Sequence, residues 1–249
     1  MSIPAILCAI LCAILVFNLS QPAEAKRGKH STVKAAIKDY GETMRRELIP
    51  LFQSRGLSYP PKELTFIGLK EEKVLHIFAK DHDGENIRIK TYPIVGVSGE
   101  PGPKLEEGDR QIPEGIYKLT GFKPNSIAHL ALLINYPSPE DRKRGREDKR
   151  TNLGSHIEIH GSYWSTGCLA MGDEAIEEIF VLAHDTGLKQ IDLILSPCNL
   201  NIKEPVIDYK EQPKWLPALY GRLKEALKEF DMVPDKSVRY PWSDSFLLK

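Results

Sequence analysis

The chain reads as a mainly β domain with helical additions at both ends, and three observations predict it. Leu64–Leu69, Val74–Ala79 and Ile87–Val95 are apolar runs separated by Lys70-Glu71-Glu72-Lys73 and Asp81-His82-Asp83-Gly84-Glu85-Asn86, turn chemistry suited to a meander of strands. Ser155 to His160 alternates, with Ile157 and Ile159 on one face and His156, Glu158 and His160 on the other. Two amphipathic stretches with helical spacing flank these segments.

The elements come in order along the chain. Ile3 to Leu19 is nearly all apolar, and Ala23-Glu24-Ala25 precedes Lys26 as a small-x-small cleavage pattern, so residues 1–25 read as a secretory signal. The run, about 17 residues, is short against the roughly 20 that a spanning helix needs, which disfavours a retained anchor. Cys8 and Cys12 each follow a leucine and do not read as lipid-attachment sites.

Ser31–Ile49 carries Val33, Ala36, Ile37, Tyr40, Met44 and Leu48 at helical spacing, with Pro50 expected to interrupt the helix or kink the residues beyond it. Pro137–Asn152, whose Pro139–Arg150 part holds six basic and four acidic residues, reads as a solvated loop placed to fold over a cleft. Arginine can take a carboxylate through two N–H groups, so Arg142 and Arg146 are its candidate substrate ligands. A helix is expected from an Asp173 cap, with Ile176, Ile179, Phe180 and Ala183 inward, His184 as a favourable charge near its end and Gly187 as its stop. Leu216, Leu219, Tyr220, Leu223, Leu227 and Phe230 form a last stripe beside Pro217, best explained by core packing.

Charge is balanced, with 34 basic and 34 acidic residues, which argues against a dedicated nucleic-acid binder. Beyond the leader, Cys168 and Cys198 are the only cysteines, too few for a disulfide framework. Their pairing with each other is the alternative, and it would silence Cys168 as a nucleophile.

The chemistry centres on His156-Ile157-Glu158-Ile159-His160-Gly161-Ser162-Tyr163-Trp164-Ser165-Thr166-Gly167-Cys168. An imidazole at a strand end and a cysteine eight residues on can combine as base and thiol nucleophile. Gly167 frees the backbone to aim successive N–H groups at a developing oxyanion. A different site is also open, in which His156, Glu158, His160 and Cys168 hold zinc. Glu158 reads more simply as a charge partner, and Tyr163 and Trp164 as residues lining the cleft.

The histidine-glycine pair followed by Ser165-Thr166-Gly167-Cys168 resembles the catalytic signature of the L,D-transpeptidase (YkuD) family. Ile112-Pro113-Glu114-Gly115-Ile116-Tyr117 is similar to the family's proline-x-glycine turn into a strand of the catalytic sheet, and the resemblance spans about Leu64 to Ser196. Thr166 stands where a second histidine is common, and Ala170 where arginine or asparagine is usual. The detail looks most like the YafK-type branch of Gram-negative bacteria.

The resemblance implies a curved or sandwiched mixed sheet, with residues 63–197 as the catalytic domain, 26–62 an N-terminal helical segment and 198–249 a C-terminal helical extension. It implies His160 as base, Cys168 as nucleophile, the Gly161 carbonyl as orienter of the imidazole, and the Gly167 and Cys168 amides as oxyanion donors. Ser165 matches the motif serine and, with His156, is expected near substrate. No cofactor or metal is implied. The implied partners are peptidoglycan stem peptides and, in one branch, an outer-membrane lipoprotein attached to peptidoglycan, which places the protein in the periplasm or cell envelope. Transpeptidation and hydrolysis share the same first thioester, and a non-catalytic peptidoglycan-binding module is the reading from another class.

Overall fold

The computed structural model describes residues 30–232. The expectations for the leader, residues 1–25 with Cys8 and Cys12, lie outside the described residues, as does the end of the C-terminal extension.

Helix α1 (Val33–Gln53) starts at Thr32, whose hydroxyl accepts the Ala35 N–H at 3.2 Å. It does not stop at Pro50 but runs one turn beyond. Proline forfeits one backbone bond and crowds the preceding turn, while fully buried Leu48 and Phe52 hold the helix down on either side of it.

Strands β1 (Leu64–Leu69), β2 (Val74–Lys80) and β3 (Asn86–Pro93) form the expected meander. Next come β4 (Gly115–Ser126) and β5 (His129–Ile134), helix α2 (Pro139–Glu147), short strands β6 (Glu158–His160) and β7 (Leu169–Ala170), helix α3 (Asp173–Thr186), strand β8 (Ile191–Ser196) and helix α4 (Leu216–Leu227). The eight strands make one sheet in the order β3-β2-β1-β8-β4-β5-β6-β7. It is mixed, because β1–β8 and β6–β7 are parallel and the other pairs antiparallel.

Period-two alternation splits the core across the sheet. Leu75, Ile77 and Ala79 of β2, with Leu193 and Leu195 of β8, join Leu48 and Phe52 of α1 and Ile176, Ile179 and Phe180 of α3 on one face. Val74, Phe78 and Ile194 turn to the other face, where Leu216, Leu219, Leu223 and Leu227 of α4 cover them. The terminal helices therefore share the core of the sheet, and the α4 stripe packs as its pattern required.

Three local expectations are corrected. The charged Pro139–Arg150 run is not a loop: Ser138 caps α2 through a capping box with Asp141, and Pro139 opens the helix. The strand predicted from Ser155 begins only at Glu158, because His156 has φ +57, a left-handed conformation incompatible with an extended run. Asp173 is not the cap of α3; Gly172 holds that position at φ +81, and Asp173 lies in the first turn, where its charge suits the helix dipole.

Candidate active site

The register of β4 to β7 places the site. Lys123 pairs with Ala131, Ala131 with His160, and His160 with Ala170. The next row on the same face is Gly121, Leu133 and Glu158, and continuing the β6–β7 register one residue back from Leu169 sets Cys168 beside Glu158. His160 and Cys168 are thus diagonal neighbours on one face. The opposite face of these strands carries Phe122, Leu132, Ile159 and Leu169 onto Phe180 and the α3 core. Glu158 and His160, though off that core, are buried as well.

His160 is held by its own chain. Nδ1 lies 2.5 Å from the Gly161 carbonyl oxygen. A carbonyl only accepts, so Nδ1 carries the hydrogen and Nε2 is left with a free lone pair. Burial lowers the affinity of the ring for a second proton, opposed by the Gly161 carbonyl and the Glu158 carboxylate. Trp164 packs obliquely on the imidazole with ring centroids 6.0 Å apart, and both Trp164 and Tyr163 are exposed.

The Cys168 thiol is pushed up to about 11, chiefly by burial; the Glu158 backbone N–H pulls the other way. Both shifts favour a neutral thiol and a neutral imidazole at rest. Cys168 is not in a disulfide, and neither is Cys198, which is fully buried.

The turn before Cys168 is braced at both ends. Ser165 Oγ accepts the Cys168 N–H at 2.9 Å and donates to the Cys168 carbonyl at 2.6 Å. Gly167, at φ +111, donates its N–H to Ser98 Oγ at 2.7 Å, and Ser98 in turn donates to the Arg110 carbonyl at 2.8 Å. Both expected oxyanion donors are thus occupied by hydroxyls in the free chain.

Ser98 belongs to the 94–114 connection, which lies along β7: Gly96 bridges Ala170, and a Cβ at Gly96 would fall 2.5 Å from the Tyr163 carbonyl. Sequence reasoning missed this wall of the site. Its signal was length, since a connection this long without strands or helices of its own is uncommon unless functional.

His156 is exposed and its ring bonds to Ser155 Oγ at 2.7 Å; only its backbone carbonyl meets Cys168, 3.7 Å from Sγ. The row of three side chains imagined for zinc is therefore not formed. Among the described residues, the one group of three metal-ligating side chains converging within 4.8 Å is Asp81, His82 and Asp83.

Arg142 and Arg146 are exposed on α2, Arg142 donating to the Pro137 carbonyl. The buried arginine of this segment is Arg144, paired with Glu140 at 2.7 Å and stacked over Trp215 at 4.6 Å, which fastens α2 to the start of α4.

The fold and this face define a class, β-sheet domains that present a cysteine and a histidine side by side. A family model for the L,D-transpeptidase catalytic domain (YkuD) matches residues 66–191, just over half of the chain. The chain belongs to that family. It is 38% identical over 114 residues to a protein of Escherichia coli (strain K12) named "Putative L,D-transpeptidase YafK", a match covering 45% of this chain and 43% of the relative. The chain thus spans less than half the length of the curated relative it matches.

Among solved structures it is similar to the K307A mutant of the helical cell shape determining protein Pgp2 of Campylobacter jejuni, at 19% identity and TM-score 0.47 over 81% of this chain and 63% of that one. It is also similar to Bd1075 of Bdellovibrio bacteriovorus, at 24% identity and TM-score 0.41 over 55% and 49%. Among the described residues no helix is long and apolar enough to cross a membrane.

Proposed function

We propose that the protein is an exported thiol acyltransferase acting on peptidoglycan stem peptides through a Cys168 thioester, with His160 as the base. The observation that carries this reading is the shared face of β6 and β7, where Cys168 stands diagonal to an imidazole whose Nδ1 is fixed by the Gly161 carbonyl. Family membership supports the peptidoglycan substrate class, and the leader pattern at residues 1–25 supports action in the cell envelope. Residues 63–197 form the catalytic unit, with the flanking helices as its packing.

Because thiol and imidazole rest neutral, the proton moves as the bond forms. His160 Nε2 takes the Sγ proton while sulfur attacks the peptide carbonyl carbon. The tetrahedral oxyanion takes the Cys168 or Gly167 N–H from its hydroxyl partner, a charge-assisted bond replacing a neutral one. Ser165 and Ser98 keep their own acceptors, the Cys168 and Arg110 carbonyls, when this happens.

Collapse expels the amine, which receives the proton from Nε2 and leaves a thioester. An acceptor amine, or water, then gives its proton to Nε2, attacks the thioester, and the thiolate departs and is reprotonated. An amine gives a cross-link or attaches a lipoprotein; water trims the stem or releases one.

Incubation of the mature chain with purified muropeptides, followed by product analysis, tests the reading. Cross-linked or trimmed products that vanish in Cys168→Ala and His160→Ala support it. Products that persist in Cys168→Ala overturn it.

A further inference from the structure

The site face holds an ion pair that the reaction scheme does not use. Lys123 Nζ lies 2.9 Å from Glu158 Oε1, with the carboxylate buried and the lysine about half exposed. Lys123 stands two strands from His160 in its row, and Glu158 stands between Leu133 and Cys168 in the adjacent one. The lysine reaches its partner over Ala131, the small residue between it and His160. The carboxylate is therefore a direct neighbour of both reactive side chains, next to Cys168 across β6–β7 and two residues from His160 along β6.

We propose that Lys123 and Glu158 are positioning residues of this site, in which the lysine cancels a buried carboxylate charge that would otherwise act on Cys168 and His160 together. This rests on the thiol-imidazole reading above and adds two residues that the motif does not contain. A carboxylate in a poorly solvated place favours the protonated form of any neighbour, which makes the thiol less acidic and the imidazole more basic. A cation has the opposite effect on both. The charges facing the pair are few. Glu158 and Lys123 act on His160; Glu158, Lys123 and Lys104 act on Cys168.

The remaining charged groups nearby have other tasks. Lys104 is paired with Asp109 at 2.6 Å on the 94–114 connection, Asp173 of α3 takes the Ser162 N–H, and Glu177 of α3 pairs with His129 at 2.7 Å. The Lys123–Glu158 pair is thus the local balance that can be tipped in either direction.

The test uses the whole mature chain and iodoacetamide, with labelling of Cys168 followed by peptide mass spectrometry and the His160 imidazole titration followed by NMR. Neither readout requires acyl transfer, so the inference fails or stands separately from the proposed function. In Lys123→Met the uncancelled carboxylate should slow Cys168 labelling at mildly alkaline pH by about three- to tenfold and raise the His160 titration. Glu158→Gln should move both in the opposite direction, and the double variant should return both near the wild type.

Lys123→Arg should behave as the wild type, which separates charge from packing. If Lys123→Met does not fold, Glu158→Gln and Lys123→Arg still decide the matter. Labelling that slows in both single variants, or changes in neither, would overturn the proposal.

Discussion

Asp173 and Ser162 are joined by a 2.7 Å hydrogen bond from the Ser162 main-chain N–H to the Asp173 carboxylate, and this bond holds the turn whose Gly161 carbonyl grips His160. Ser162 sits at φ +62, a conformation that a residue with a side chain keeps only when its surroundings impose it. The first turn of α3 therefore reaches back to the turn that fixes the ring of His160, the base of the proposed reaction. Asp173 serves the site through its neighbour and not as a helix cap.

Asp173→Ala should lose that anchor at a cost of about 1–3 kcal/mol, with turnover falling more than substrate KM rises. Asp173→Asn keeps an acceptor and should recover most of the loss. Denaturant unfolding beside steady-state kinetics checks both.

Gly161→Ala should be worse than its size suggests. An added Cβ would lie 2.7 Å from both the Ala128 carbonyl oxygen and the Asp173 carboxylate, so the turn must shift. A loss of about 1–3 kcal/mol in stability is expected. Gly221→Ala is the contrast, because it lies within α4 with nothing within 4 Å of the new methyl. It should stabilise the chain by about 0.5–1 kcal/mol, read by the same unfolding curves.

The two thiols should differ in reach and share a pH trend. Cys198 is fully buried and pushed up to about 12, so native iodoacetamide labelling should fall on Cys168. Burial pushes the Cys168 thiol up to about 11, so its thiolate fraction should be small at neutral pH, and labelling should rise roughly tenfold per pH unit through the alkaline range. A plateau near neutrality would show a preformed thiolate.

Acid pH should spare the proposed base, His160. Burial holds the His160 pKa below its ordinary value of 6.5, so the neutral ring needed to accept a proton persists as pH falls through that value. The acid limb of turnover should therefore lie below the ordinary histidine range. A limb above it would mean that the carboxylate of Glu158 dominates the ring.

Much of the fold was readable from the sequence because it rests on short-range pattern. The β1 and β2 runs, the inward stripe of α4 and the placing of Ile157 and Ile159 on the core face all come from periodicity, and the structure agrees. At α2 a local signal was outweighed by composition: Ser138-Pro139-Glu140-Asp141 is a helix start, yet the charge of the segment suggested a loop. His156 left its predicted row because a single left-handed residue breaks alternation, which no alternating pattern reveals.

Ser98 and Lys123 were illegible for a further reason. Each meets the site across sequence distance, through the 94–114 connection and through β-sheet register, and a single sequence does not display register between strands.

Intact-protein and peptide mass spectrometry after brief incubation with a purified stem-peptide muropeptide decides whether Cys168 carries the acyl group. A covalent acyl adduct is expected on the Cys168 peptide of the wild type, absent in Cys168→Ala and formed far more slowly in His160→Ala. An adduct on another residue, or undiminished product formation by Cys168→Ala, would contradict thiol acyl transfer at this site.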